Sequence, residues 1–152
     1  MLKNIFDYKI VKTFGNKKII TSRGLKCKIS YDDINQDEET RIWYKKTSKK
    51  ILGIEHYKND VKHGKFEYYY RNGKLSLRCY YSYGKLDGCY QTWYLSGIPN
   101  KEINYKNGLL HGETKMWYAS GNQYVKKIYN DDILKHISSW KDSGEIIKIL
   151  DF

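Results

Sequence analysis

Four tyrosines, Tyr57, Tyr81, Tyr105 and Tyr129, recur at intervals of 24 residues. Two sets of glycines keep the same interval, Gly64/Gly88/Gly112 and Gly73/Gly97/Gly121, and aromatic pairs fall in register as Tyr69-Tyr70, Trp93-Tyr94 and Trp117-Tyr118. No other property of the chain constrains its fold as much. A short fixed period makes each copy one supersecondary unit, in contact only with its neighbours. The unit reads Tyr-x-x-Gly-x-Leu-(His/Asp)-Gly, five residues, Tyr/Trp-Tyr-x-x-Gly, then a polar segment leading to the next tyrosine. In the last unit Trp140 and Gly144 arrive one residue early, after His136 has replaced the expected glycine. An upstream echo, Trp43-Tyr44, lies 26 residues before Tyr69.

Each unit holds two turn signals separated by runs of alternating aromatic and polar residues, which predicts β-hairpins. Arg71-Asn72-Gly73-Lys74, Leu95-Ser96-Gly97 and Ala119-Ser120-Gly121 mark one set of turns. Asn59-Asp60, Tyr83-Gly84, Asn107-Gly108 and Asp131-Asp132 mark the other, and Asn, Asp and Gly suit turns that need positive φ. Alternation assigns the faces. A first face carries Phe66, Tyr68 and Tyr70 and their equivalents Tyr90, Thr92, Tyr94 and Thr114, Met116, Tyr118. A second face carries Lys65, Glu67, Cys89, Gln91, Glu113 and Lys115, and is polar apart from the row Tyr69, Trp93, Trp117. Cross-strand aromatic pairs stabilise such ladders by roughly 0.2–1 kcal/mol each.

The composition agrees with an all-β chain of thin burial. Sixteen tyrosines and four tryptophans stand against four phenylalanines and one proline, and tyrosine suits strands whose faces are partly wet. At 152 residues the chain fits one domain. Three organising segments are expected: residues 1–42 as a basic N-terminal segment, an irregular cap or degenerate repeat; 43–144 as repeats of about 24 residues; and 145–152 as an apolar tail, Glu145-Ile-Ile-Lys-Ile-Leu-Asp-Phe152, that closes the sheet end or docks on a second copy. Cys27, Cys79 and Cys89 are too far apart for a zinc knuckle and odd in number, so a reducing compartment is expected. No apolar run approaches the ~20 residues of a membrane span and no signal-peptide core is evident, so an intracellular, cytoplasmic location is expected.

Chemistry is hard to place on this pattern. His63, Asp87, His111 and Lys135 share one repeat slot, and a reaction that needs histidine does not tolerate aspartate and lysine in alternate copies. Such a slot needs only a polar, turn-compatible residue. There is no Gly-x-Ser-x-Gly and neither phosphate-binding glycine motif. Asp32-Asp33 and Asp131-Asp132 are adjacent in sequence and point apart in a strand. Catalytic, cofactor-binding and metal-binding residues are therefore expected to be absent, as is a small-molecule substrate.

Binding surfaces are easier to place. Tyr69, Trp93, Trp117 and Trp140, flanked by Arg71 and Lys115, offer ring anchors of the kind that dominate protein interfaces. The formal charge is +11, and residues 1–50 hold thirteen basic and six acidic residues, a net +7. An anionic membrane surface, nucleic acid or an acidic protein is thus a second partner class, reached through Lys9, Lys12, Lys17, Lys18, Arg23, Lys26 and Lys28.

The unit resembles the MORN repeat in its shorter-motif variant. The residues that carry the likeness are Tyr81-Ser-Tyr-Gly-Lys-Leu-Asp-Gly88, Tyr105-Lys-Asn-Gly-Leu-Leu-His-Gly112 and the Trp-Tyr-x-x-Gly segments at 93–97 and 117–121, over roughly residues 43–144. The resemblance implies an elongated single-layer antiparallel sheet in which each unit adds a hairpin. It implies a non-enzymatic scaffold for protein–protein contact and homodimerisation, with membrane-lipid binding proposed for some members. It also extends to antitoxin-like bacterial components and to proteins of large DNA viruses, whose AT-rich genomes suit the Lys/Asn/Tyr bias.

Overall fold

The computed structural model describes residues 9–14, 17–22, 25–32 and 37–152. Its strands are β1 (Lys9–Phe14), β2 (Lys17–Ser22), β3 (Leu25–Tyr31), β4 (Glu38–Lys45), β5 (Ile51–Lys58), β6 (Val61–Lys62), β7 (Gly64–Tyr69), β8 (Leu75–Ser82), β9 (Lys85–Leu86), β10 (Gly88–Trp93), β11 (Pro99–Lys106), β12 (Leu109–Trp117), β13 (Gln123–Asn130), β14 (Ile133–Trp140) and β15 (Ile146–Asp151). All belong to one open sheet, and the paired strands are antiparallel neighbours in chain order. The two-residue strands β6 and β9 run on into β7 and β10, so each pair corresponds to the single strand β12 one unit later.

Turn chemistry sets this register. Asn59-Asp60, Tyr83-Gly84, Asn107-Gly108 and Asp131-Asp132 all have φ between 45° and 91°. Positive φ at both central residues defines the type I′ hairpin, whose twist matches that of the strands it joins. At the opposite end, the N–H groups of Gly73, Gly97, Gly121 and Gly144 donate to the carbonyls of Tyr70, Tyr94, Tyr118 and Lys141. These are type I turns closed by a left-handed residue, with φ of 88–101° at the glycines.

The early arrival of Trp140 has a structural cause. Gly64, Gly88 and Gly112 also have positive φ and lie opposite Tyr81, Tyr105 and Tyr129. Between the pairs Tyr105↔Leu110 and Ile103↔Thr114, Asn104 alone faces His111, Gly112 and Glu113, a bulge of two extra residues. Between Tyr129↔Leu134 and Ile128↔His136 only Lys135 is extra. His136 pairs as an ordinary strand residue, so the last unit needs no glycine there and is one residue shorter.

The core is a narrow band within the sheet. Phe66 is 1% exposed and lies across from Cys79, between the rings of Tyr57 at 5.5 Å and Tyr81 at 4.9 Å, both edge-on. The first face continues through Tyr90 against Tyr105 at 6.4 Å and Tyr118 against Tyr124 at 4.8 Å. Gly53 fills its place because a Cβ there would come within 2.8 Å of Tyr68 Cδ1. The ring takes the room of the missing side chain.

Successive units are joined at both ends of their strands. The hydroxyls of Tyr70, Tyr94 and Tyr118 donate to the carbonyls of Trp93, Trp117 and Trp140 at 2.6, 2.7 and 3.1 Å. At the type I′ end, Gly84, Gly108 and Asp132 N–H donate to the carbonyls of Lys62, Leu86 and Leu110. The strands β1, β2 and β3 lack the 24-residue signature yet extend the same sheet, with β2 paired to β3 and β3 to β4 along their whole lengths. The C-terminal segment forms β15 on the outer side of β14, where Ile146, Ile147, Ile149, Leu150 and Phe152 are all exposed.

Candidate functional site

Strand ends place the aromatic row. Tyr69, Trp93, Trp117 and Trp140 each occupy the last position before a type I turn, and all are half-buried. Each shares a face with the residue two positions earlier: Glu67, Gln91, Lys115 and Ser138. Tyr69 donates its hydroxyl to Glu67 Oε2 at 3.2 Å, and the Arg78 guanidinium lies 5.9 Å from the Trp93 ring while bonding Glu67 Oε1 at 2.9 Å. Lys65 Nζ is 3.3 Å from the same carboxylate. Burial alone would raise the Glu67 pKa, but the bonds from Arg78, Lys65 and Tyr69 outweigh it and hold the group below the usual carboxylate range. Alternation along β8 did not single out Arg78. Its role emerges only from the pairing Glu67↔Arg78↔Gln91 across three strands.

The same face continues with Gln91 donating to Glu102 at 3.0 Å. Next along it, Glu113 sits between Lys115 and Lys126, each at 2.6 Å. Hydrogen bonds from those two lysines lower the Glu113 pKa to about 2. Lys115 is therefore tied to Glu113, while Arg71 is exposed at its turn, where its carbonyl accepts Lys50 Nζ at 3.3 Å. The structure thus brings the four rings and Lys115 onto one face and leaves Arg71 at its margin.

The histidine slots are built into turn stacking. Tyr83 N–H donates to His63 Nδ1 at 3.3 Å, with the two rings 4.7 Å apart. His111 Nδ1 lies 2.9 Å from Asp131 Oδ1, and His136 bridges Asp151 at 2.6 Å and Ser138 at 2.5 Å. Each reaches the next hairpin and none converges with another. Among the described residues no group of three or more His, Cys, Asp or Glu side chains is placed to hold a metal ion. Burial pushes the Cys27 thiol up to about 12 and the Cys79 thiol up to about 11, so neither is a ready nucleophile at neutral pH.

Two of the cavities that open among the N-terminal strands bear on these residues. Lys26, Lys28, Lys45, Lys46 and Lys49 surround Tyr44 and Ile19 in a groove of about 260 Å³. Lys17 is exposed and Lys18 Nζ lies 5.1 Å from the Tyr31 ring, while Arg23 and the side chains of Lys9 and Lys12 fall outside the described residues. The second cavity, about 390 Å³, opens on the first face beside Trp43, Tyr57 and Tyr68. At its centre Glu55 accepts from Tyr68 hydroxyl at 2.6 Å, Trp43 Nε1 at 2.9 Å and Tyr57 hydroxyl at 3.1 Å. This convergence had no signal in the sequence, because three strands and a non-periodic register bring the residues together.

Comparison with known proteins gives one result that agrees with this geometry. A family profile described as a MORN repeat variant matches residues 62–83 and 86–107, two successive hairpin units. No curated protein matches the chain. MORN repeats generally serve in protein or membrane interactions, and proteins built from them are generally non-enzymatic scaffolds. The repeated I′ hairpins, the stacked turns and the two matched units together show that residues 62–107 of the chain carry MORN repeats of the variant type.

Proposed function

We propose that this chain is a scaffold that binds a protein partner through the second face, with Tyr69, Trp93, Trp117 and Trp140 as anchors. The observation that carries this reading is the row itself: four half-buried rings, one per unit, at the same strand position on one face. Their surroundings are already hydrogen-bonded, so little ordering cost remains for binding. Self-association is part of the reading, because β15 presents a strand edge unpaired among the described residues, with four exposed apolar side chains and Phe152 just beyond them. Light scattering reads that directly.

The decisive experiment replaces Trp93 and Trp117 together by alanine. Binding to the partner isolated with the wild-type chain is expected to weaken by about 30-fold or more, as for hot-spot rings, while the far-UV signal of the sheet persists. If the double variant unfolds, the row belongs to the core and the surface reading fails.

A second reading has its own observation. None of the five lysines around Tyr44 forms an ion pair among the described residues. This supports attachment of the N-terminal third to anionic lipid or nucleic acid, with affinity that falls steeply with salt. Absence of binding to anionic vesicles and oligonucleotides at about 50 mM salt excludes it.

A further inference from the structure

We infer that the groove around Tyr44 binds single-stranded nucleic acid, with a base stacked on the Tyr44 ring and neighbouring phosphates held by the lysines that line the groove. This assignment rests on the electrostatic attachment of the N-terminal third proposed above, and commits it to one polyanion.

Strand register builds the groove on the second face. Lys26 lies opposite Tyr44 and Lys28 opposite Ile42, on the side that continues through Ile54 to Glu67. Ile19 stands across from Lys28 on β2, and the end of β4 with the turn after it adds Lys45, Lys46 and Lys49. Backbone bonds fix that turn, from Lys49 N–H to the Lys45 carbonyl at 2.9 Å and from Lys45 N–H to the Lys50 carbonyl at 3.0 Å. Lys49 takes φ of 53°. A cation therefore stands where backbone geometry favours glycine, asparagine or aspartate.

Elsewhere on this face cations are spent on carboxylates, Lys65 and Arg78 on Glu67, and Lys115 and Lys126 on Glu113. The groove of about 260 Å³ is lined by five lysines and no carboxylate, and among the described residues none of the five forms an ion pair. Such a cluster attracts a chain of phosphates, each contact releasing counterions. Tyr44 decides which chain. The first-face rings pair with one another, as Phe66 does with Tyr57 and Tyr81, and Tyr90 with Tyr105. Among the described residues Tyr44 makes neither a ring contact nor a side-chain hydrogen bond, although it sits amid the lysines. An unpaired ring among cations is what holds single strands, and it tolerates any sequence because every base has a π face. A duplex keeps its bases stacked on each other, so it meets the lysines and not the ring. A bilayer presents its phosphates in a plane and an acidic peptide its carboxylates on flexible stems, and neither offers the ring a planar partner.

Fluorescence anisotropy with the full chain tests this at about 50 mM salt, using oligo(dT) and oligo(U) of about 12 nucleotides. An abasic strand of the same length, a duplex and polyglutamate serve as comparisons, and phosphatidylserine vesicles are tested by co-sedimentation. Oligo(dT) or oligo(U) is expected to bind about tenfold or more tighter than the abasic strand and the duplex, and the tighter of the two names the sugar. The logarithm of affinity should fall with that of salt at about −0.7 per phosphate held, a slope of about −3.5 with every lysine of the groove engaged. Tyr44→Leu is expected to cost about tenfold on the base-bearing strand and nothing on the abasic one. Lys46→Gln with Lys49→Gln, both exposed at the turn, should make the slope shallower by about 1.4. Circular dichroism checks each variant. If Tyr44→Leu fails to fold, the abasic comparison, made on the wild-type chain, decides in its place. Equal binding of base-bearing and abasic strands overturns the inference. So does a duplex or polyglutamate that binds as tightly as the single strand, or a slope that the lysine variants leave unchanged. Binding to vesicles alone overturns it while attachment to anionic lipid stands, and binding to none of these overturns both.

Discussion

Phe66→Ala is expected to destabilise the chain by about 3–5 kcal/mol, read as a lowered midpoint in urea unfolding, the range for truncating a buried phenylalanine. Of the described side chains only Phe66 and Cys27 are less than 2% exposed, and Phe66 is much the larger. A single-layer sheet has no second layer to close over it, so its cover comes from its own face. Tyr57 and Tyr81 stand edge-on at either side, Cys79 lies across the strand pair, and the Lys62 ammonium sits 5.5 Å from the ring. None of these can move in without giving up its own pairing. The cavity should persist and the cost should lie toward the upper end of the range. A loss under about 1 kcal/mol would mean that the two tyrosines collapse together and that the band is more plastic than its geometry implies. As typical domains are stable by about 5–15 kcal/mol, one ring here accounts for a large share of the total.

What could be read in advance divides along physical lines. Turns are written in local chemistry, so Asn107-Gly108 and Asp131-Asp132 were legible, and even Tyr83 adopts φ of 45° because Gly84 follows it. Facing residues follow from alternation, so the Phe66 row and the tryptophan row were legible too. The strands of residues 9–31 were not, because they carry no period and pair through registers that only the folded sheet reveals. The short last unit showed in the sequence as a misplaced Trp140, but its cause lies in the pairing of Lys135 and His136. Glu55 lay furthest from view. Its three donors come from β4, β5 and β7, and one of them, Tyr68, reaches it by packing its ring where Gly53 carries no side chain. Convergence across strands without a periodic signal is what a single sequence hides best.

The repeat also predicts where cooperativity resides. Each of Tyr70, Tyr94 and Tyr118 spends its hydroxyl on a carbonyl of the following unit, so these bonds couple units where Phe66 stabilises one. A change to phenylalanine keeps the ring and removes only that bond, at about 0.5–1.5 kcal/mol each. Successive tyrosines sit two strands apart, roughly 10 Å, far enough for their effects to add. The triple variant is therefore expected to lose about 2–4 kcal/mol. In a chain whose units interact only with neighbours, weaker coupling also lets one end unfold before the other. The urea transition of the triple variant should broaden, with a smaller apparent m-value, while Phe66→Ala should shift the midpoint and keep the slope. Among the single variants Tyr118→Phe should cost least, because its bond is the longest of the three at 3.1 Å. A triple variant within about 0.5 kcal/mol of wild type would show that water replaces the hydroxyls at no cost, leaving the coupling of units to the backbone bonds at the type I′ turns.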